Sequence, residues 1–210
     1  LITGAVIAQN DFRPINRDSV KLAVTDSTKD TWYPKLFDRF NHFDTTLTRD
    51  DYRLLYYGFV FQDIYSGYAA DKEGEIVKLI NKRTYDKASD MCDEVLLKMP
   101  VGLKANLYKS LVLGEMAVTD SARKYADRYL GLMGAVLSSG NGFTCETAFK
   151  TIFVSDEYDV IRSYFQMNSH GQSLQYPCDK LFVTKSKYFD KNAIYFDTSE
   201  TFIRMREKIK

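Results

Sequence analysis

The chain is poor in the residues from which metal and redox sites are built. His42 and His170 are its only histidines, and neither stands in an H-x-x-x-H or H-E-x-x-H arrangement, so no zinc ligand set is present in recognisable form. Its three cysteines, Cys92, Cys145 and Cys178, include no C-x-x-C pair. No uninterrupted run of 18 apolar residues occurs, so no segment reads as a transmembrane helix. Charge of one sign is also lacking: 29 basic residues face 28 acidic ones, for a net charge of +1. Such a surface has no long-range field for phosphate, which argues against a nucleic-acid partner. Arg204, Arg206, Lys208 and Lys210 gather at the end and read as a solvated terminal face. There is no P-loop, no G-x-G-x-x-G and no G-x-S-x-G, and Gly140-x-Gly142 is only a turn, so no cofactor is implied.

Aromatic residues are what the chain has in excess, with 15 Tyr and 14 Phe against a single Trp. Tyrosine joins a large apolar ring to a polar tip and suits cores that open onto grooves. A chain of 210 residues makes one large domain or two small ones and buries roughly 70% of its unfolded surface, so it needs no metal or disulfide staple. Cys92 falls in a strongly helical stretch and reads as a small buried hydrophobe. Cys145 and Cys178 share the C-terminal segment and can pair in an oxidising compartment, closing a loop worth about 3–4 kcal/mol. The first eight residues, Leu1 to Ala8, are apolar and small, and polar Gln9-Asn10-Asp11 follows. They resemble the end of a secretory signal without its charged n-region, and a short strand is the competing reading.

Periodicity divides the rest. Residues 9–138 read as a region of helical hairpins. A short helix is expected from Arg17 to Val24, and Leu36, Phe37, Phe40 and Phe43 mark an amphipathic helix over Tyr33 to Phe43 with Pro34 in its first turn. Thr48-x-x-Asp51 resembles a capping box for a helix from Arg49 to Ile64. That helix is apolar nearly all round, through Tyr52, Tyr56, Phe59 and the row Tyr57, Phe61, Tyr65, so it belongs at the centre of the fold. Gly58 within it points to close approach of a neighbouring helix or a ligand. Helices follow over Gly74 to Lys82, Tyr85 to Lys98 and Gly102 to Val118. The spacing Ala88, Cys92, Val95, Pro100 is similar to the second helix of a tetratricopeptide repeat, and a shift of 34 residues lands on Ala122, Ala126 and Tyr129. The first-helix signature of that repeat is absent.

Ser138 to Gly142 carries strong turn chemistry, and beyond it the period changes. Residues 139–210 read as a small β-α-β-β-α unit packed on the helices, which makes the whole an α+β protein. Its parts are a strand over Thr147 to Val154, a helix over Tyr158 to Phe165 capped by Ser155, and strands over Lys180 to Lys185 and Ala193 to Asp197. A closing helix runs from Thr198. Asp156 and Glu157 complement the N-terminal dipole of the capped helix, and Asn168 to Pro177 reads as a loop.

Three constellations carry candidate chemistry. Cys178 lies near His170 in sequence, but no orienting third group or oxyanion hole accompanies the pair. Asp50, Asp51 and Asp63 flank the tyrosine helix as a glycosidase pair would, although helix-dipole complementarity explains Asp50 and Asp51. Tyr57, Tyr65 and Tyr68, with Gln62 and Asp63 as polar contacts, form either core or the lining of a ligand groove.

The run Leu54-Leu55-Tyr56-Tyr57-Gly58-Phe59, continuing to Gln62-Asp63-x-Tyr65-x-x-Tyr68, resembles the N-terminal hallmark of a group of Bacteroidetes proteins classed as domain of unknown function 4919. Ser139-Gly140-Asn141-Gly142, Glu146 to Phe149, Asp156-Glu157-Tyr158, Gln172-Ser173-Leu174, Cys178-Asp179 and Ile194 to Asp197 extend the likeness over roughly Phe37 to Thr198. Asn141 replaces the Asp expected there, and Cys145 a small residue or Pro, which speaks against a family-wide disulfide. The resemblance implies an exported bacterial protein and brings no activity with it. The expectation is therefore a non-enzymatic binding or scaffold module of the cell envelope, taking a peptide, protein or glycan partner. An envelope hydrolase acting on glycans through the carboxylates beside the tyrosine helix is the alternative.

Overall fold

Helices dominate the N-terminal part, where each apolar stripe finds a neighbour only a short loop away. The computed structural model describes residues 12–67 and 72–209, so the apolar residues 1–8 and Tyr68 lie outside the described residues. Helix α1 (Arg17–Thr25) begins where Asn16 accepts the Ser19 N–H, and α2 (Tyr33–Asn41) carries Pro34 in its first turn. The last carbonyls of α2, at Phe40 and Asn41, accept hydrogen bonds from the Arg128 guanidinium at 2.6 and 3.1 Å. That guanidinium also lies 3.6 Å from the centre of the Phe43 ring.

Helix α3 (Arg49–Gly58) starts with a reciprocal capping box: Thr48 Oγ1 accepts the Asp51 N–H and Asp51 accepts the Thr48 N–H. Asp at this position thus does what Glu usually does. The helix is shorter than its periodicity suggests. After Gly58 it tightens into a 3-10 turn, Phe59–Phe61, and Gln62 is already extended. The break lets Tyr65 fold back so that both it and Phe59 meet the ring of Phe153, with centroids 5.8 and 6.0 Å away. The close approach at Gly58 is to helices and not to a ligand, because an added Cβ would fall 2.9 Å from Val24 and 3.0 Å from Tyr33.

Helices α4 (Glu73–Asn81), α5 (Tyr85–Lys98), α6 (Leu103–Glu115) and α7 (Thr119–Leu137) then pack each on the next, as short loops between helices require. Arg83 and Ala117, one 34-residue repeat apart, both take left-handed backbone at the ends of α4 and α6. At each, the next residue's N–H closes back onto the helix, Thr84 on Leu79 and Val118 on Leu113.

The C-terminal part is a four-stranded mixed sheet of order β1-β4-β3-β2, completing an α+β fold. Its strands are β1 (Phe149–Lys150), β2 (Ser169–Gln175), β3 (Cys178–Val183) and β4 (Ala193–Asp197); β1 runs parallel to β4 and the other pairs are antiparallel. Two expectations fail here. The strand expected over Thr147 to Val154 pairs only at Phe149 and Lys150, because the chain turns at Ile152 into helix α8 (Val154–Asp159), which starts without a side-chain cap from Ser155. The loop expected from Asn168 to Pro177 is instead β2, an edge strand exposed on both faces and so without apolar alternation. Helix α8 passes directly into a π-helical turn, Val160–Tyr164, and helix α9 (Ser199–Ile209) closes the chain. Cys145, in the loop before β1, is bonded to Cys178 at the start of β3, while Cys92 is a buried free thiol whose pKa burial pushes up to about 12.

One apolar cluster joins helices and sheet, running from Val24, Leu36 and Leu55 through Leu132 and Val136 to Ile152 and Phe196. The tyrosines of α3 stitch it together. The Thr151 backbone N–H donates to the Asp197 carbonyl of β4, so the backbone groups of Lys150 and Ile152 face the opposite way. Each of those outward groups meets a side chain. Ser139 Oγ accepts the Lys150 N–H at 2.8 Å, and Tyr57 donates to the Lys150 carbonyl at 3.0 Å. Tyr56 accepts the Ile152 N–H at 3.3 Å, and Tyr65 donates to the Ile152 carbonyl at 2.7 Å. Three phenols and a hydroxyl thus occupy the place of a fifth strand.

Candidate functional site

Among the described residues, Tyr57, Gln62, Asp63 and Tyr65 do not come together as a groove. Tyr57 and Tyr65 are each 2% exposed, and their hydroxyls are spent on the backbone beside β1. Of the two readings open for them, theirs is the geometry of core. Gln62 is half-buried, with its amide donating back to the Gly58 carbonyl, and the Asp63 side chain is exposed. Tyr68 lies outside the described residues. Asp50 pairs on the surface with Arg13, Asp51 is held in the capping box, and none of the three flanking acids lines the cavity described next. His170 is exposed on β2, away from any nucleophile arrangement, because Cys178 is in the disulfide.

A cavity of about 350 Å³ opens instead where the hairpins meet the start of α8. Its floor is apolar, made by Ile76, Val95, Met99, Ala105, Phe153 and Val154 from four separate stretches of chain. Polar groups ring it. Lys104 is paired with Glu73, which also accepts the Tyr108 hydroxyl at 3.1 Å, and Lys72 is paired with Glu94. Ser155, Tyr158 and Arg162 complete the far side. Arg162 stands on the π-helical turn, a departure from α geometry that is frequent at functional sites.

Behind this wall lie the acids assigned from sequence to a helix dipole. Asp156 is fully buried, and both its oxygens are engaged: Tyr56 donates to one at 2.6 Å and the Leu103 N–H to the other at 3.1 Å. Leu103 is the first residue of α6, whose preceding Gly102 has no side chain to cap it, so Asp156 caps α6 from 53 residues away. Desolvation pushes the Asp156 carboxyl up to about 7 in spite of these bonds. Glu157, also fully buried, faces Asp179 of β3, and neither Glu157 oxygen has an amide or hydroxyl donor. Burial first, and the facing carboxylate second, hold Glu157 well above the usual range; burial raises Asp179 too, against the Gln172 amide that donates to it. A single proton shared by the two carboxyls satisfies this geometry. Asp159, raised by burial, accepts the Ser163 hydroxyl at 2.7 Å.

Chemically, the arrangement combines an apolar floor with a rim of paired charges. Of the two described acids that line the cavity, Asp156 is shielded from solvent with both oxygens bonded, and Glu73 is engaged by Lys104 and Tyr108. The described residues contain no group of three or more His, Cys, Asp or Glu side chains able to hold a metal. Sequence reasoning misses this site because its lining comes from α4, α5, α6 and α8 at once; Val95, Ser155, Asp156 and Tyr158 stand out in the sequence only for repeat spacing, capping, dipole and family likeness.

Fold and cavity thus define an α+β protein of stacked helical hairpins closed by a small mixed sheet, with a compact site at the junction. The family model described as Domain of unknown function (DUF4919) matches residues 18–207, and the chain belongs to that family. No curated protein and no solved structure matches it.

Proposed function

We propose that this protein is a non-enzymatic binding module of the cell envelope, exported in a Bacteroidetes-type bacterium, that takes a peptide or protein partner at the cavity between the hairpins and α8. The observation that supports binding is a half-open apolar cavity with a polar rim, of a size at the lower end for ligand sites, beside an acid that is sealed from it. Glycoside hydrolysis needs two carboxyls facing one cleft, whereas Asp50 and Asp51 are committed to an ion pair and a cap and the facing Glu157 and Asp179 are buried away from the cavity lining. The Cys145–Cys178 bridge supports an oxidising compartment.

The test is a thermal-shift screen of the purified chain against a pool of short peptides and a pool of oligosaccharides, repeated with Val95→Trp, which fills the cavity from a half-buried position. A rise in Tm with peptides that disappears in Val95→Trp is the expected result. Turnover of any oligosaccharide would overturn the binding-module reading, and a shift unaffected by Val95→Trp would move the site elsewhere.

A further inference from the structure

The charged groups around the cavity are not balanced. Among the described residues three cationic side chains line it, Lys72, Lys104 and Arg162, against the acids Glu73 and Asp156. Asp156 is withdrawn behind the wall, with Tyr56 and Leu103 on its oxygens. Lys72 is neutralised by Glu94 and Lys104 by Glu73. Arg162 alone among these described cations has neither an ion pair nor a hydrogen bond; it is exposed on the π-helical turn, with Tyr108 and Tyr158 as its electrostatic neighbours. A guanidinium presents a planar fork of donors that fits a carboxylate through two parallel hydrogen bonds. Below it lies a floor of aliphatic, thioether and aromatic surface, and beside it the hydroxyls of Ser155 and Tyr108.

Resting on the binding-module reading above, we infer that the cavity receives the C-terminal end of a peptide whose last residue is large and apolar, with Arg162 holding the terminal carboxylate. The carboxylate supplies an ion-pair partner that Arg162 lacks among the described residues, and the last side chain fills the floor between Ile76, Met99 and Phe153. Ser155 and Tyr108 lie on the same rim, and the Tyr108 hydroxyl, which donates to Glu73, keeps an acceptor lone pair for a peptide N–H. A cavity of about 350 Å³ suits one chain end and not a long extended segment. The same floor could take a free aliphatic acid, which carries a carboxylate but no amide groups for the rim.

Calorimetric titration of the full chain distinguishes these. The probes are N-acetylated pentapeptides ending in Leu, Met or Phe, the same peptides as C-terminal amides, and octanoate. The free acids are expected to bind about tenfold or more tightly than the amides. Arg162→Ala should erase that preference, and Arg162→Glu should favour the amides; both changes are at an exposed position and leave the fold intact. Octanoate should bind more weakly than the peptide acids. Equal binding of acids and amides by the unaltered chain, or a preference that survives Arg162→Ala, would overturn the carboxylate assignment while leaving a peptide-binding module standing. Octanoate binding as tightly as the peptide acids would overturn the peptide assignment. No binding of either peptide form would remove the inference and the peptide part of the binding-module reading together.

Discussion

Tyr56, Tyr57 and Tyr65 in and just after α3, and Asp156, Glu157 and Asp179 around α8, are two sets of polar side chains withdrawn from water into one core. The phenols are neutral in their ordinary form, and burial only moves their ionisation further from physiological pH. Their hydroxyls satisfy backbone groups that would otherwise be orphaned. The acids must give up their ordinary charged form to occupy comparable depth, and burial raises all three. Depth of burial is therefore a poor guide to consequence. What matters is whether the group is buried in the state it holds in water.

The contrast can be broken most sharply at Tyr57. Tyr57→Ala removes a buried ring and should cost about 3–5 kcal/mol in urea unfolding, with no dependence on pH. An unchanged midpoint would reject the core role. Next in size is the acid contribution. The unfolded chain releases the Asp156 proton in the ordinary carboxyl range, whereas the folded protein keeps it up to about 7. Over that interval the folded state binds more protons, so stability is greatest at acid pH and should fall by about 2–3 kcal/mol between about pH 5 and about pH 7 through this group. Asp156→Asn should flatten the profile; a profile equally steep in the variant would refute the assignment. Glu157→Gln supplies permanently the donor that Asp179 needs, and should raise stability at neutral pH by about 1–2 kcal/mol. A loss there would show that the pair is not sharing a proton. Tyr57→Phe, which leaves the ring and strips the hydroxyl from the Lys150 carbonyl, should cost about 1 kcal/mol at every pH. Thr48→Ala, outside both sets, should cost a similar or smaller amount by opening the α3 cap, measurable as a drop in Tm.

Much of the architecture was legible where local signals were strong. Helix α5 runs from Tyr85 to Lys98 and β4 from Ala193 to Asp197, as spacing and β-branched content indicated, and the Thr48 capping box is present. Strand β2 was illegible because Ser-His-Gly-Gln-Ser-Leu-Gln at a sheet edge has no apolar face to announce it. Helix α3 read too long because Phe59, Phe61 and Tyr65 continue the aromatic periodicity after the backbone has left the helix for a partner, Phe153, that sequence spacing cannot reveal. The site suffered most. Asp156 and Glu157 stand in the first turn of α8, where a dipole role is sufficient, and only tertiary structure shows them facing Tyr56, Leu103 and Asp179 from distant parts of the chain.

The phenolic seal along β1 also bears on how this sheet meets its own kind. Fibrillar stacking of strands needs two free edges per molecule, one to receive and one to template. Here one rim is already saturated from within the chain by Ser139, Tyr56, Tyr57 and Tyr65, and among the described residues β2 forms the opposite rim. A sheet with one rim closed by its own side chains offers such stacking one edge fewer than propagation requires.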